Sequence, residues 1–518
     1  MTGGRKSAAD GESAPNIVFI LTDQQRADTI GAWGNAHMHT PNMDRLVREG
    51  MSFRQAYCPG ATCTPSRAAI FTGMYPHNTG CYTFRDWGHH RTWVNDLNDA
   101  GYWCVNIGKM HFQPRDVSGG FHERTVVENP TGATTWGGNG DDAWGNYLTF
   151  HGAKRPLDRN RTDPDWDKRF QCAPWHMDEH LHSDVFVGNS AVSWIHGYAR
   201  KDTPFSQKDA PFFLEIGFPG PHEPFDPPER FLDLYEEGCG PEPVALHEDL
   251  SRKPPQHQAH RDFFANSSGE GRIRMDRITE EDARRMRRHY YAKISLVDEQ
   301  IGRVIAALEE RGLMENTVIV LSSDHGELLG DHGLAYKWLM YDPVVHVPLV
   351  ISTPETRGAA KENDDLVSLM DIGPTVLDLA GLPKPTRLEG QSLLPAVRGG
   401  KYPARRYVYC EDNYLIMCRS ETHKLVYYIG QETGELYDLK ADPNELHNLW
   451  NDSAHVEVRC RMKEHLLEWL ASSCYHGYGY KSGLGGATGE YGVRWPKPGP
   501  KGAYLQGGAF EKPVVPHH

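Results

Sequence analysis

The sequence predicts an α/β fold, in which a mainly parallel sheet is covered by helices and a smaller domain follows. Several short apolar runs are rich in β-branched and aromatic residues, and each ends in a polar cluster, as parallel strands do. One strong amphipathic helical pattern lies between two of these runs, and near Lys401 the pattern changes to short β-like segments. Strand and helix thus alternate over most of the chain, which is typical of an α/β sheet.

Four strands are predicted in the first part of the chain, and each leads into polar residues. They are Asn16–Leu21, Tyr102–Ile107, Phe212–Ile216 and Thr317–Leu321. Between the last two, apolar residues recur at steps of three and four from Met286 to Leu308, with Thr279 and Asp282 as start signals and Gly312 as a stop. In open sheets ligands bind beyond the carboxyl ends of strands, so we expect the polar clusters to converge on one site.

The C-terminal region predicts a small antiparallel sheet followed by a helix. The short strands are Tyr407–Cys410, Tyr414–Cys418 and His423–Tyr428, and the helix covers about 454–473. We therefore divide the chain into a flexible N-terminus at 1–15, a large domain at 16–395 that we expect to carry the site, a small domain at 396–474 and an extended arm at 475–518. The arm is rich in Gly and Pro without periodicity. Both a solvated tail and an arm that wraps a neighbouring subunit stay open, and we expect a homo-oligomer.

Composition and charge exclude several classes of protein. The chain has 518 residues, of which 39% are hydrophobic and 24% charged, as in a globular enzyme of more than one domain. A net charge of −14 without a basic stripe argues against a nucleic-acid partner. No apolar run approaches the roughly 20 residues that a membrane helix needs, so no membrane partner is expected.

The N-terminus and the cysteines predict a cytoplasmic protein. The first fifteen residues are polar and lack an apolar core of signal-peptide length. The ten cysteines are scattered and form no CxxC pair, so neither a disulfide framework nor a zinc cluster is indicated. We therefore expect a reducing compartment.

Two polar pairs at strand ends predict a metal site. Asp23 and Gln24 follow the first strand, and Asp324 and His325 follow the last one. Two carboxylates, an amide and an imidazole are enough to hold one divalent cation. Taken alone, either carboxylate could instead cap a following helix.

The pentapeptide Cys63-Thr64-Pro65-Ser66-Arg67 carries the most specific signal in the chain. Its C-x-P-x-R spacing resembles the formylglycine signature of the sulfatase family. The resemblance implies that a formylglycine-generating enzyme oxidises Cys63 to Cα-formylglycine, whose hydrate supplies the attacking hydroxyl. Without the motif, Cys63 would be a small buried apolar residue, as free cysteines usually are.

Further matches extend the resemblance and imply roles for five side chains. Arg67 would orient the formylglycine hydroxyls, and Lys109, in Gly-Lys-Met-His, would bind sulfate oxygens. His111 in the same motif would act as the base that releases sulfate. His222, in Pro-His-Glu-Pro, would protonate the leaving oxygen, and Lys337 would neutralise its charge.

The family implies an alkaline phosphatase-like α/β/α sandwich with a small C-terminal α+β domain. It also implies hydrolysis of small-molecule sulfate monoesters, as in arylsulfatases, through a metal-bound formylglycine hydrate and a sulfated hemiacetal. The implied metal ligands are Asp23, Gln24, the modified Cys63, Asp324 and His325. Many family members have Asp in place of Gln24 and Asn in place of His325. Since imidazole suits a transition ion, Mn²⁺ competes with Ca²⁺ as the cation.

Two other functions stay open at this point. Phosphonate or phosphate ester hydrolases share the formylglycine and the metal pairs, but they carry neutral residues where Lys109 and His111 stand, which favours sulfate. A non-catalytic binding protein that never converts Cys63 is the second alternative. The aromatic stretch from Trp136 to Trp175 predicts either a wall for an apolar leaving group or the anchoring of a long loop.

Overall fold

A computed structural model describes residues 14–82, 86–128, 141–156, 165–198, 210–267 and 272–476. Its largest feature is an eight-stranded mixed sheet in the order β4-β3-β5-β1-β6-β7-β2-β8. The strands are β1 Asn16–Asp23, β2 Met51–Tyr57, β3 Trp103–Gly108, β4 Glu123–Val126, β5 Phe212–Pro221, β6 Thr317–Ser323, β7 Leu349–Ser352 and β8 Lys361–Ser368. Strand β7 is antiparallel to both of its neighbours, and the other pairs are parallel.

Strand β1 lies in the middle of this sheet and is buried on both faces. Ile17 pairs with Phe213 of β5 on one side and with Val318 of β6 on the other. Alternate β1 residues enter two separate hydrophobic cores, with Phe19 in one and Val18 in the other. A continuous apolar strand is what a sheet covered on both faces requires.

The described helices of more than one turn are α1 Pro41–Arg48, α2 Cys63–Thr72, α4 Trp93–Asp99, α5 Ala143–Phe150, α6 Ser183–Gly197, α8 Pro255–Asn266, α9 Glu280–Glu310, α11 Ile372–Leu379 and α13 Val456–His476. Four single turns complete the order: α3 Pro76–Thr79, α7 Glu229–Leu232, α10 Asp342–Val345 and α12 Leu394–Val397. No described helix is both long enough and apolar enough to cross a membrane.

Helix α9 confirms the strongest helical prediction. Thr279 caps its N-terminus, and the Thr279 and Asp282 side chains each bond the other's backbone N–H, which forms a capping box. The helix ends at Glu310, and Gly312 follows with a φ of 64°. Its buried stripe packs on the same sheet face as Val18.

A second sheet of four antiparallel strands follows, in the order β12-β11-β10-β9. The strands are β9 Val408–Asp412, β10 Leu415–Arg419, β11 His423–Tyr428 and β12 Gly434–Asp438. It meets the main sheet's loops directly, because the Glu411 backbone N–H donates to Pro59 O at 3.0 Å. The domain boundary at 395 stays a prediction, and residues 1–13 and 477–518 lie outside the described residues.

Candidate active site

The candidate metal cluster lies at the carboxyl ends of β1 and β6, which are neighbours in the sheet. Asp23 is the last residue of β1, and Asp324 follows β6 and donates its N–H to Thr22 O at 3.2 Å. Asp23, Asp324 and His325 are fully buried, and each offers a ligand atom within 4.8 Å of the others. The structure therefore brings together three of the predicted ligands.

The polar atoms of this cluster fit a divalent cation. Both carboxylate oxygens of Asp23 and Nε2 of His325 are buried and form no hydrogen bond with a described residue, although Asp23 contacts Lys109. His325 Nδ1 donates to Gly326 O at 2.8 Å, which leaves the Nε2 lone pair facing Asp23 and Asp324 at 3.6 Å. Burial lowers the pKa of His325 to about 4, so the ring is neutral and able to bind a metal.

Gln24 lies beside the cluster, with its side chain turned to other partners. Its amide oxygen accepts a hydrogen bond from Lys337 Nζ at 2.6 Å. Its amide nitrogen donates to Glu223 Oε2 at 2.8 Å and to Glu327 at 2.5 Å. Its place among the metal ligands stays a prediction, whereas its contact with Lys337 is a feature of the structure.

Cys63 is the first residue of α2, a helix in which every residue is buried. Burial raises the pKa of the Cys63 thiol, although the charges of Lys337 and Lys109 oppose that rise. An unmodified Cys63 is therefore a neutral thiol. The N-terminal end of a helix favours negative charge on an oxygen placed there.

Arg67 lies on α2 one turn after Cys63 and hydrogen-bonds to two loops of the site. Its Nε donates to Asp324 Oδ2 at 2.7 Å, and one of its terminal nitrogens donates to Lys109 O at 2.6 Å. Lys109 in turn forms an ion pair with Asp23. The arginine thus ties together the loops after β3 and β6.

His111 reaches the same region from the loop after β3. Its Nδ1 lies 3.4 Å from the hydroxyl of Thr64, the residue after Cys63, and its Nε2 lies 3.4 Å from Glu128. His222 is buried after β5, and its Nδ1 donates to Glu223 O at 2.8 Å. The polar clusters after β1, β3, β5 and β6 therefore converge, as expected from the sheet.

The site combines neutral imidazole rings with charged side chains. Burial and the charges of nearby lysines hold the pKa of His111 and of His222 well below the ordinary value. Burial opposes a charge on Asp23, but nearby cations led by Lys109 outweigh it and keep the Asp23 pKa well below its ordinary value. Burial likewise opposes a charge on Lys337, but nearby anionic groups raise its pKa. The site therefore offers positive charge to an anion.

Two buried residues that hold the site were missed by sequence reasoning. Glu327 accepts hydrogen bonds from the N–H groups of Leu329 and Tyr336, which shapes the loop that carries Lys337. Lys293 of α9 donates to His222 O at 3.0 Å and Pro224 O at 2.8 Å, and so fixes the loop after β5. For Lys293 the sequence does contain an indication, because this lysine lies on the apolar stripe of its helix.

The described tryptophans of the predicted aromatic stretch are buried. Trp144, Trp166 and Trp175 are at most 8% exposed. Trp144 and Trp175 belong to the hydrophobic core that contains Val18. Trp136 lies outside the described residues. The packing of Trp144 and Trp175 in this core favours the interpretation that the stretch anchors a long loop, and the wall for a leaving group stays a prediction.

Comparison with known families decides what kind of protein carries this site. The family model described as "Sulfatase" matches residues 15–382, and a model described as "N-sulphoglucosamine sulphohydrolase, C-terminal" matches residues 330–472. The chain belongs to the sulfatase family. This confirms the resemblance carried by the Cys63 motif, and the chain is a sulfuric ester hydrolase.

Relatives and solved structures place this sulfatase in the alkaline phosphatase superfamily. An arylsulfatase of Clostridium perfringens is 31% identical, over 88% of this chain and 94% of that protein. A multifunctional alkaline phosphatase superfamily protein of Trinickia caryophylli is 28% identical, over 88% and 95%. The crystal structure of a phosphonate monoester hydrolase of Agrobacterium radiobacter matches with a TM-score of 0.74 and 26% identity, over 89% and 96%. The predicted alkaline phosphatase-like fold is confirmed.

Proposed function

We propose that this sulfatase cleaves sulfate monoesters with a formylglycine formed at Cys63 and one divalent cation held by Asp23, Asp324 and His325. The observation that carries the proposal is the buried cluster of ligand atoms beside the start of α2, in which Nε2 of His325 and both carboxylate oxygens of Asp23 form no hydrogen bond with a described residue. When formed, the hydrated aldehyde supplies two hydroxyls on one carbon, one to attack and one to release the product. When bound, the cation supplies positive charge that lowers the pKa of a hydroxyl and stabilises an anionic ester oxygen.

The donor set is compatible with Ca²⁺ or Mn²⁺. Two carboxylates suit either ion, and the neutral imidazole of His325 favours the transition metal. Arg67 donates a hydrogen bond to the Asp324 carboxylate and so orients one of the ligands.

The cationic residues bind the sulfate group and the leaving oxygen. Lys109 lies against Asp23, where its ammonium group can contact ester oxygens near the cation. His222 is held in the tautomer that carries its proton on Nδ1, so its Nε2 accepts rather than donates. We therefore assign the charge that stabilises the leaving oxygen to Lys337. In this tautomer His222 cannot protonate the leaving oxygen, which differs from the role expected from the sequence.

His111 is the proposed base for product release. It is neutral, and it lies against Thr64, beside Cys63. A neutral imidazole near the second hydroxyl can accept its proton, which general base catalysis requires. Glu128 lies 3.4 Å from the other ring nitrogen, Nε2, and also accepts a hydrogen bond from the backbone N–H of His111.

Phosphonate monoester hydrolysis is the second candidate function, because the matched Agrobacterium radiobacter structure is a hydrolase of that class. The presence of Lys109 and His111 supports sulfate. A binding protein with unconverted Cys63 is opposed by the fact that every proposed role is filled. The maturation enzyme as a partner, the homo-oligomer and the cytoplasmic location stay predictions.

The test is a comparison of two esters with the same leaving group on protein matured with the formylglycine-generating enzyme. We expect kcat/KM for 4-nitrophenyl sulfate to exceed that for the 4-nitrophenyl ester of phenylphosphonate. Lys109→Ala should lower the sulfate value by about 10²-fold, the scale of one lost oxyanion contact. Cys63→Ala is the inactive control. A preference for the phosphonate that Lys109→Ala leaves unchanged would support the second candidate.

A further inference from the structure

The loop between Glu327 and Trp338 is held in an unusual backbone conformation. Leu329, His332, Tyr336 and Trp338 all have positive φ, and Trp338 has a φ of 76°. A bulky side chain rarely adopts this region, because the backbone is strained there. Strain of this kind clusters at ligand sites, where the surrounding structure maintains it.

The contacts of Trp338 show what maintains its conformation. Its backbone N–H donates to Ala61 O at 3.0 Å, two residues before Cys63. The preceding carbonyl, that of Lys337, accepts a hydrogen bond from His260 Nε2 at 2.9 Å. Trp338 is therefore tied to the Cys63 loop on one side and to α8 on the other.

The indole ring lies outward of the proposed leaving-group lysine. Lys337 is buried, and its Nζ is 5.7 Å from the centre of the Trp338 ring. Trp338 itself is only partly buried. A partly exposed ring therefore lies beside the buried ammonium group of Lys337.

Apart from Lys337, the ring neighbours of the indole in the described part of the chain are a phenylalanine and an uncharged histidine. Phe264 packs against it with ring centres 5.1 Å apart, and His260 lies at 6.0 Å. Burial lowers the pKa of His260 to about 4, so this ring carries no charge. The surface beside Lys337 is therefore aromatic, with the lysine as its adjacent cation.

We infer that Trp338, with Phe264 behind it, forms the subsite for the leaving group and that it takes a flat, uncharged aromatic ring. A ring bonded to the departing oxygen would extend from Lys337 outward and stack on the indole. A quaternary ammonium group would meet the charge of Lys337, so a cationic leaving group is disfavoured. The inference rests on the proposed function, since it takes Lys337 as the group nearest the leaving oxygen.

The test separates ring recognition from chemical reactivity. Phenyl sulfate is compared with a fluoroalkyl sulfate whose alcohol is as acidic as phenol, on wild type and Trp338→Asn. Asparagine tolerates positive φ, so the backbone conformation is retained. In Trp338→Asn we expect kcat/KM for phenyl sulfate, divided by kcat/KM for the fluoroalkyl sulfate, to fall about tenfold, the scale of one lost aromatic contact. The fluoroalkyl rate should change less than about twofold. Trp338→Phe should be intermediate, and Phe150→Ala, at a phenylalanine that is 85% exposed, is the control.

Binding without turnover gives a second readout. Calorimetry with phenylmethanesulfonate and methanesulfonate should show the same loss of preference for the ring in Trp338→Asn. An unchanged ratio, or an equal fall for both substrates and both sulfonates, would overturn the inference and leave Trp338 a scaffold residue. A sulfated monosaccharide that outperforms phenyl sulfate would overturn the aromatic class. If converted protein cleaves no sulfate while ring preference in binding persists, the proposed function fails and the subsite stands.

Discussion

His325 and Asp23 show how burial prepares single side chains for a cation. Both are fully buried, yet His325 is neutral while Asp23 keeps its charge, because Lys109 lies against the carboxylate. Removing a charge from water is costly unless a partner compensates for it. A bound cation would also stabilise the Asp23 carboxylate, as Lys109 does in this structure.

The choice of metal is testable at His325. His325→Asn replaces a nitrogen ligand by an amide oxygen, which the harder Ca²⁺ prefers. We expect the ratio of Mn²⁺ to Ca²⁺ affinity to fall at least about tenfold, measured by calorimetric titration of metal-free protein. Gln24→Asn serves as a comparison, since its amide oxygen is engaged by Lys337. An unchanged ratio in His325→Asn would show that His325 is not a ligand.

The sequence identified site residues where a short motif fixes their spacing. Cys63 and Arg67 stand one helical turn apart, and Asp324 and His325 follow a strand directly. It missed Glu327 and Lys293, because their roles depend on backbone groups brought together from distant parts of the chain. No local pattern encodes such contacts.

At the level of elements, helix α9 positions a site residue through a buried lysine. Lys293→Met keeps the length of the side chain but removes three hydrogen bonds, to His222 O, Pro224 O and Asp226. A small displacement of His222 should lower kcat/KM by about 10²-fold, as misplacement by about 1 Å does. Metal affinity and formylglycine content should be unchanged. The exposed Lys440→Met is the control, and wild-type kinetics in Lys293→Met would refute this role.

The N-terminus of the same helix gives a prediction about stability. Thr279→Ala removes the hydroxyl that accepts the N–H of Asp282. The free energy of unfolding should fall by about 1 kcal/mol, the ordinary cost of a lost cap. Urea unfolding followed by circular dichroism measures it, with Thr279→Ser as the variant that restores the cap. A loss in Thr279→Ala no greater than in Thr279→Ser would contradict the assignment.

The sequence predicted the central strands of the main sheet better than its edge. Strands β1, β5 and β6 are buried apolar runs, which periodicity detects. Strand β8 begins Lys-Glu-Asn-Asp-Asp and lies at the edge, where polar residues face water. Strand β8 forms because its backbone pairs with that of β2, and the pattern of its side chains alone does not predict a strand.

On the scale of the whole molecule, the C-terminal sheet contributes to the site's support. The Thr62 hydroxyl, next to Cys63, donates to Asp412 of β9, and Glu411 bonds the backbone of Pro59. The small sheet thus holds the loop that leads to the nucleophile. The domain boundary predicted at residue 395 therefore separates the small sheet from a loop of the main domain that it contacts.

Glu435 of β12 links this sheet to the main domain and makes stability depend on pH. Burial opposes its charge, but His257 of α8, Lys253 and the Tyr428 hydroxyl hold its pKa at about 2, against 4.5 in a model peptide. A depressed folded-state pKa stabilises the fold above the unfolded value, and the stabilisation is lost as pH falls from 4.5 towards 2. Glu435→Gln should therefore cost about 3 kcal/mol at neutral pH.

The free energy of unfolding, measured by urea titration at neutral pH and at an acidic pH below 4.5, tests this dependence. The difference between wild type and Glu435→Gln should shrink as the pH falls through the stated window. Glu421→Gln, at a side chain that is 82% exposed, is the control and should show no such trend. A difference that is constant across the window would contradict the pKa assigned to Glu435.

The most direct test of the account is to measure, in one series, the converted fraction of Cys63 and the rate of sulfate hydrolysis. Preparations made with graded amounts of the formylglycine-generating enzyme are analysed by mass spectrometry of the Cys63 peptide and by turnover of 4-nitrophenyl sulfate. We predict that turnover is proportional to the aldehyde fraction and is zero at no conversion. Full activity with an unmodified thiol, or complete conversion without sulfate turnover, would contradict the account.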